Sequence, residues 1–394
     1  MKKASMPFPA RWEIFCQVVD NFGDIGVCWR LARDLAQNHG CRVRLWVDDW
    51  PSFVRLCPAA SGADPERGFE HRGVEVRRWA EPFAEVEPAD VVIEAFACEI
   101  PETHLQAMAA RAVRPVWINL EYLSAEAWVG GCHAMASPHP RLPLVKHFFF
   151  PGFDDRTGGL LREPGLLAER DAFRREPGGR ARWLAGHGLS ALPADALLLS
   201  LFAYEQPDLP SLMQAWRSGG RPVVALVPEG RVLADVARGL GRDGLAAGDR
   251  VRDGRLEVVV LPFTDQPGYD RLLWSCDLNF VRGEDSFVRA QWAGRPFVWQ
   301  IYPQHEQGGV HRDKLDAFLA RYEAGLPDEA ALALRAFWLA WNEERGLAGT
   351  WHAFAAVLPA LEAHAAAWCG GLAGQADLST RLTEFCFDIL PPAG

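Results

Sequence analysis

The chain has no closely spaced cysteine pair and no apolar run approaching the ~18 residues that cross a bilayer. Its cysteines are Cys16, Cys28, Cys41, Cys57, Cys98, Cys132, Cys276, Cys369 and Cys386, nine in all. An odd set without a CxxC spacing argues against a disulfide framework and for a reducing compartment, with most thiols acting as small buried hydrophobes. No membrane span is expected. Met1-Lys2-Lys3 lacks the apolar stretch that follows the cations of a signal peptide, so a cytoplasmic location is expected. Neither a Gly-Lys-Ser/Thr phosphate loop nor a GxGxxG fingerprint is present, which weakens any NTPase or dinucleotide reading. Asp48-Asp49 and Asp154-Asp155 are adjacent pairs rather than DxD, so a metal-bridged diphosphate is not suggested. His133 stands beside Cys132, but no second pair has ligand spacing, and no metal or cofactor is expected. The net charge of −10 argues against a general nucleic-acid binder. A small anion could still bind at a local site.

What is present is ample apolar material. At 394 residues and 49% hydrophobic composition, the chain can fill two cores, since single cores stop growing near ~250–300 residues. Short, nearly continuous apolar runs at Trp12–Val19, Arg42–Val47, Asp90–Phe96 and Pro115–Leu120 read as strands buried on both faces. Ile25, Cys28, Leu31, Ala32 and Leu35 share one helical face, so 25–38 reads as a helix, with Gly40 as its stop. Residues 151–189, broken by Pro and Gly, read as a connector between domains, with room for helical pieces inside it. Strands resume at Ala196–Tyr204, Pro222–Val227, Leu256–Leu261, Asp277–Val281 and Pro296–Tyr302, with helices at Pro210–Ser218 and Arg231–Leu240 between them. Beyond residue 311 the pattern is helical only, ending in Ala376–Leu390. Trp338, Trp341, Trp351 and Trp368 are expected to pack helices. This alternation predicts parallel sheets in an α/β fold.

The most informative stretch is Asp20-Asn21-Phe22-Gly23-Asp24-Ile25-Gly26. It lies where a βα loop tops a sheet, the place where open α/β folds bind ligands. Glycines let a ligand approach the backbone, and carboxylates can do acid–base work. The bland alternative is that Asp24 caps the helix that starts at Ile25 and Asp20 holds the strand end. A second cluster, Arg282-Gly283-Glu284-Asp285-Ser286, stands in an equivalent position further along the chain. A helix start there can bind phosphate, with Ser286 adding a hydroxyl and Arg282 a bidentate clamp. The competing reading is a helix cap with a surface Arg282–Glu284 ion pair. Two acids beside an anion site would repel it, so Glu284 more plausibly faces a reacting centre. Phe202 and Tyr204 share a face at strand period and can stack on or bond a nucleotide, or simply fill the core. Phe263 and Gln266 end the next strand-like run in the same way. Two such sheets, with facing loops, would enclose one cleft.

These residues resemble the protein-arginine rhamnosyltransferases that modify bacterial translation elongation factor P. The similarity runs through 20–31, Trp117-Ile118-Asn119-Leu120-Glu121-Tyr122-Leu123, Ser137-Pro138-His139-Pro140, 147–153, Phe202-Ala203-Tyr204-Glu205 and 278–291. It covers roughly residues 12–390, with departures in the first eleven residues and in 164–190. The resemblance implies an α/β GT-B glycosyltransferase fold, two Rossmann-like domains facing across a cleft. An N-terminal acceptor-side domain over 1–188, completed by helix 376–394, would precede a nucleotide-sugar-binding domain over 189–375. It also implies metal-independent, inverting transfer of L-rhamnose from dTDP-β-L-rhamnose to an arginine of elongation factor P, which activates that factor in translation of polyproline stretches. Carried over, Asp24 matches the general base, Asp20 its companion acid and Glu284 the second catalytic carboxylate. Asn21, Phe22 and Gly23 line the sugar side. Tyr204, Gln266, Arg282, Gly283, Asp285 and Ser286 match donor contacts, with Phe202 and Phe263 near the base. The expected partners are the protein acceptor and the donor sugar, with no nucleic acid and no membrane. Another nucleotide-sugar glycosyltransferase, or a non-catalytic protein that binds the translation factor, are the alternatives.

Overall fold

The computed structural model describes residues 10–20, 22–189, 192–302 and 310–390. Residues up to Pro164, together with those from Gln375 onward, form one compact unit, and Gly165–Gly374 form another.

The first unit is built on β1 (Arg11–Cys16), β2 (Arg42–Val47), β3 (Phe69–His71), β4 (Val74–Arg78), β5 (Val91–Ala95), β6 (Val116–Leu120), β7 (Ala136–Pro138) and β8 (Val145–Phe149). They lie in the order β3-β4-β2-β1-β5-β6-β8-β7. Only the two outermost strands, β3 and β7, run antiparallel to their neighbours. The central strands β5 and β6 are buried at every residue, which is why they are legible as unbroken apolar runs. The edge strands β3 and β7, and β4 and β8 beside them, are less buried and carry no such signal. β1 ends at Cys16, three residues before the apolar run does. From Val18 onward the backbone N–H groups turn to carboxylates instead of a neighbouring strand.

Two buried carboxylates lie in the central strands, Glu13 of β1 and Glu94 of β5. Glu13 of β1 is fully buried and accepts from Ala89 N–H (3.0 Å) and Trp46 Nε1 (3.2 Å), and pairs with His104 Nε2 (2.7 Å). Burial pushes its carboxyl up, but the His104 contact and these donors outweigh burial and hold it below the ordinary value.

The second unit carries β9 (Leu197–Leu201), β10 (Val223–Pro228), β11 (Arg250–Asp253), β12 (Leu256–Leu261), β13 (Leu278–Arg282) and β14 (Phe297–Gln300). Their order is β11-β12-β10-β9-β13-β14, parallel except for β11. The expected strands are all present, whereas the short edge strand β11 has no apolar signature. From residue 310 onward the described chain is helical, and Trp338, Trp341 and Trp351 are buried, Trp338 against Phe297 of β14 and Trp341 against Phe280 of β13. All nine cysteines are unpaired thiols, and all but Cys132 are buried. No single helix among the described residues is long and apolar enough to cross a membrane.

The units divide at Pro164 rather than at residue 188, and 165–186 is not a loose connector. Helices Leu166–Arg175 and Gly179–Gly186 pack on the second unit. Arg170 and Arg174 donate to the carbonyls of Trp292 and Ala293, and Leu184 joins the core around Leu198 and Leu226. Gly and Pro in this stretch mark helix ends and obscure the helices between. At the other end, the chain returns to the first unit through Leu378 N–H to Leu160 O (3.0 Å) and Gln375 Nε2 to Phe153 O (3.1 Å). Asp377 caps the final helix Leu378–Ile389.

In the second unit, Arg289 grips Asp270 through two hydrogen bonds of 2.9 and 2.8 Å, both side chains being buried. Removing one partner of such a pair strands a charge and costs about 3–5 kcal/mol. Arg289→Ala should therefore melt well below wild type, whereas the doubly apolar Arg289→Leu/Asp270→Leu should regain much of the loss in a thermal unfolding series.

Candidate active site

In each unit the strand order reverses direction beside its first strand. In the first, β1 has β2 on one side and β5 on the other; in the second, β9 lies between β10 and β13. Open parallel sheets bind ligands beyond the carboxyl ends of their strands at this reversal. The sequence-selected residues lie there. Asp20–Asp24 follow β1, Phe202 and Tyr204 follow β9, and 282–286 follow or end β13.

The loop after β1 is organised by Asp24. The helix Gly23–Asn38 begins one residue before Asp24, with Phe22 at the cap position, so Asp24 lies inside the first turn. Its Oδ2 accepts from the N–H groups of Val19 (2.8 Å) and Asp20 (2.9 Å), and its Oδ1 from the Tyr122 hydroxyl (3.1 Å). The bland alternative of a helix cap thus gives way to a clamp on the preceding loop. Burial drives the Asp24 carboxyl above the usual aspartate range; the two N–H bonds oppose this and the neighbouring Asp20 charge adds to it. Asp20 is also buried. A Cβ on Gly23 would lie 2.8 Å from Asp20 Oδ2, so glycine is required for this carboxylate to lie against the helix start. Phe22 is half-buried with the Arg55 guanidinium 5.4 Å from its ring centre. Asn21 lies outside the described residues. Asp48, weighed only as half of an adjacent acidic pair, accepts from Val18 N–H (2.9 Å) and so holds the same loop. Asp49 caps the helix Trp50–Leu56.

In the second unit, Arg282 is buried at the end of β13 with its guanidinium 4.6 Å from the Phe202 ring and 4.5 Å from the Tyr204 ring. The two aromatics therefore sandwich a cation rather than filling the core alone. Tyr204 is buried and its N–H goes to Gln300 Oε1 (2.9 Å). Gly283 adopts a left-handed φ of +60°, turning the chain from strand into the helix Asp285–Ala293. Glu284 is buried at the N-cap position, yet its side chain makes no capping bond, and neither it nor Arg282 is at the surface. The competing reading of a helix cap at the surface therefore does not describe this segment. The Ser286 hydroxyl accepts from Arg282 N–H (3.0 Å) and donates to Arg282 O, closing the loop on itself. Asp285 is partly exposed in the first helical turn. Gln266 is buried at the start of Gln266–Ser275, which Asp265 caps. Phe263 is half-buried, with its N–H held by Glu229 Oε2 (3.1 Å). Outside these loops, His133 accepts from Phe150 N–H (3.1 Å), and burial lowers its pKa to about 4.

The arrangement offers carboxylates at one reversal and a buried cation beside a helix N-terminus at the other. A family model for the elongation-factor P (EF-P) rhamnosyltransferase EarP matches residues 12–387. The chain belongs to this family. It is 53% identical to a protein-arginine rhamnosyltransferase of Pseudomonas aeruginosa, over 97% of this chain and 100% of that one. It is 52% identical to the counterpart from Pseudomonas putida, over 95% and 98%. A solved structure described as the structural basis for EarP-mediated arginine glycosylation of translation elongation factor EF-P superposes with a TM-score of 0.70 at 39% identity, covering 97% of this chain and 100% of that one. The fold is the GT-B glycosyltransferase architecture of paired Rossmann-like units.

Sequence reading overlooked Gln300, Glu229 and Asp48 as loop supports, since single polar residues at strand ends have no pattern. A buried carboxyl whose pKa is raised on folding stabilises the fold at low pH and forfeits that contribution as pH rises through its folded pKa. Asn can keep its oxygen on the two N–H groups and turn its amide to the Tyr122 oxygen. Asp24→Asn should therefore melt at or a few degrees above wild type at pH 8, with the advantage shrinking as the pH is lowered toward 4.

Proposed function

We propose that this chain transfers L-rhamnose from dTDP-β-L-rhamnose to an arginine side chain of elongation factor P, with inversion and without a metal. The observation that carries the reading is the chemical split between the two reversals: two buried carboxylates, Asp20 and Asp24, after β1, and a buried Arg282 leading into a helix N-terminus after β13. Family membership and the near-complete coverage of the relatives support it.

The donor's diphosphate needs positive charge and N–H donors as it departs, which Arg282 and the start of the helix Asp285–Ala293 supply. Phe202 and Tyr204 hold the Arg282 guanidinium in place, so less freedom is lost when it clamps two oxygens. Phe263 and Gln266 lie at the loop after β12, suited to the base. The acceptor guanidinium has a pKa above ~12 and a delocalised lone pair. A carboxylate that bonds its N–H groups localises that pair on one nitrogen and takes the proton as the C–N bond forms. Asp24 suits this task because burial raises its pKa, which makes it a stronger base than an exposed aspartate. Asp20 supplies further negative charge for the cationic acceptor, with Phe22 and Gly23 on the sugar side; in the second unit Glu284, Asp285 and Ser286 shape the donor loop.

Two variants separate these roles. Asp24→Ala should still bind dTDP by calorimetry but lose at least about a hundredfold in transfer, read by mass spectrometry as a deoxyhexose-sized gain on elongation factor P. Arg282→Ala should weaken dTDP binding by about tenfold or more. Full transfer by Asp24→Ala, or no dTDP binding by wild type, would overturn the reading.

A further inference from the structure

The loop after β6 carries an aromatic residue that the reading above does not use. Tyr122 donates its hydroxyl to Asp24 Oδ1 at 3.1 Å. Its ring stacks on Phe96, centre to centre 4.3 Å and 15° from parallel. Phe96 is held in an unusual way. It and Ala97 follow β5 with φ of +59° and +57°, both in the left-handed region that non-glycine residues avoid. Such strain persists only where the surroundings enforce it, and it collects at working sites. Here the enforcement comes from β6: Phe96 N–H bonds Leu120 O (2.7 Å), and Ala97 N–H bonds Asn119 Oδ1 (3.2 Å). Asn119 is itself fixed by Glu121 Oε1 (2.7 Å). The turns after β5 and β6 thus lock together to place one phenol against one carboxylate oxygen, at the reversal beside β1.

We propose that Tyr122 is a positioning residue for Asp24, fixing which carboxylate oxygen faces the acceptor and tuning the basicity of that group. This rests on the proposed function, with Asp24 as the base. Oδ2 already takes two backbone N–H groups, so it is the weaker base of the pair. Oδ1 has the phenol, whose single hydrogen bond leaves room on that oxygen for the acceptor's N–H. Other titratable groups against Asp24 are Asp20 in the same loop and Cys16 at the end of β1, with Cys28 behind it on the helix. Neither supplies a proton donor fixed by a rigid platform as Tyr122 does.

The test is steady-state transfer to elongation factor P across pH with Tyr122→Phe, Phe96→Leu and Asp24→Asn, beside a carboxyl-carbon NMR titration of Asp24. A donor to the carboxylate lowers its pKa, so Tyr122→Phe should move both the acid limb of kcat/KM and the Asp24 titration to higher pH. It should cut kcat about tenfold or more while leaving KM for dTDP-rhamnose unchanged. Phe96→Leu keeps the hydroxyl but loosens the ring, and should give a smaller shift in the same direction. Wild-type kcat and pH profile in Tyr122→Phe, with Asp24→Asn inactive, would overturn this inference alone. Full activity in Asp24→Asn, or no transfer by wild type, would overturn the reading of the site beneath it, and this inference with it.

Discussion

The first unit's loop chemistry depends on one buried carboxylate closing a βα turn. Asp24 cannot be solvated by water, so its charge is matched instead by the N–H groups of Val19 and Asp20 and by the Tyr122 hydroxyl. Those same bonds end β1, because N–H groups that serve a carboxylate no longer serve a sheet. A structural requirement and a chemical one therefore coincide. The loop holds its shape only if Asp24 is ionised or strongly hydrogen-bonded, and a carboxylate so held is a pre-oriented base. The start of the helix adds a favourable field for negative charge in its first turn.

The second unit solves the opposite problem, holding a buried cation. Arg282 lies between two aromatic rings, while the serine four residues on ties its backbone into a closed loop. Gly283 supplies the left-handed turn that brings helix N–H groups next to this cation. Buried Asp270–Arg289 braces the helix that follows. Rigid support of this kind matters because a site for a departing diphosphate gains from donors that need no rearrangement as charge develops.

Much of this was legible from residue order. The central strands are unbroken apolar runs because they are buried on both faces, and the acidic and Arg-Gly-Glu-Asp-Ser loops follow two of them. Edge strands such as β3 and β11 were not legible, since half-exposed backbone pairing demands no apolar side chains. The helices of 165–186 were hidden by the glycines and prolines that end them. Asp24 was open to a helix-cap reading beside the site reading, because spacing alone cannot say whether a carboxylate reaches forward to the helix or back to the loop.

Sequence by itself determined the α/β class, the family, the acidic and basic loops and the buried strands, because burial on both sides of a sheet and close contact with ligands restrict residue type locally. Only tertiary structure decided that β1 lies beside β5, and β9 beside β13. Strand order is set by long-range pairing that leaves no periodic mark. It is this order that puts Phe96 and Tyr122 near Asp24, and both aromatic rings on Arg282, from segments far apart in the chain.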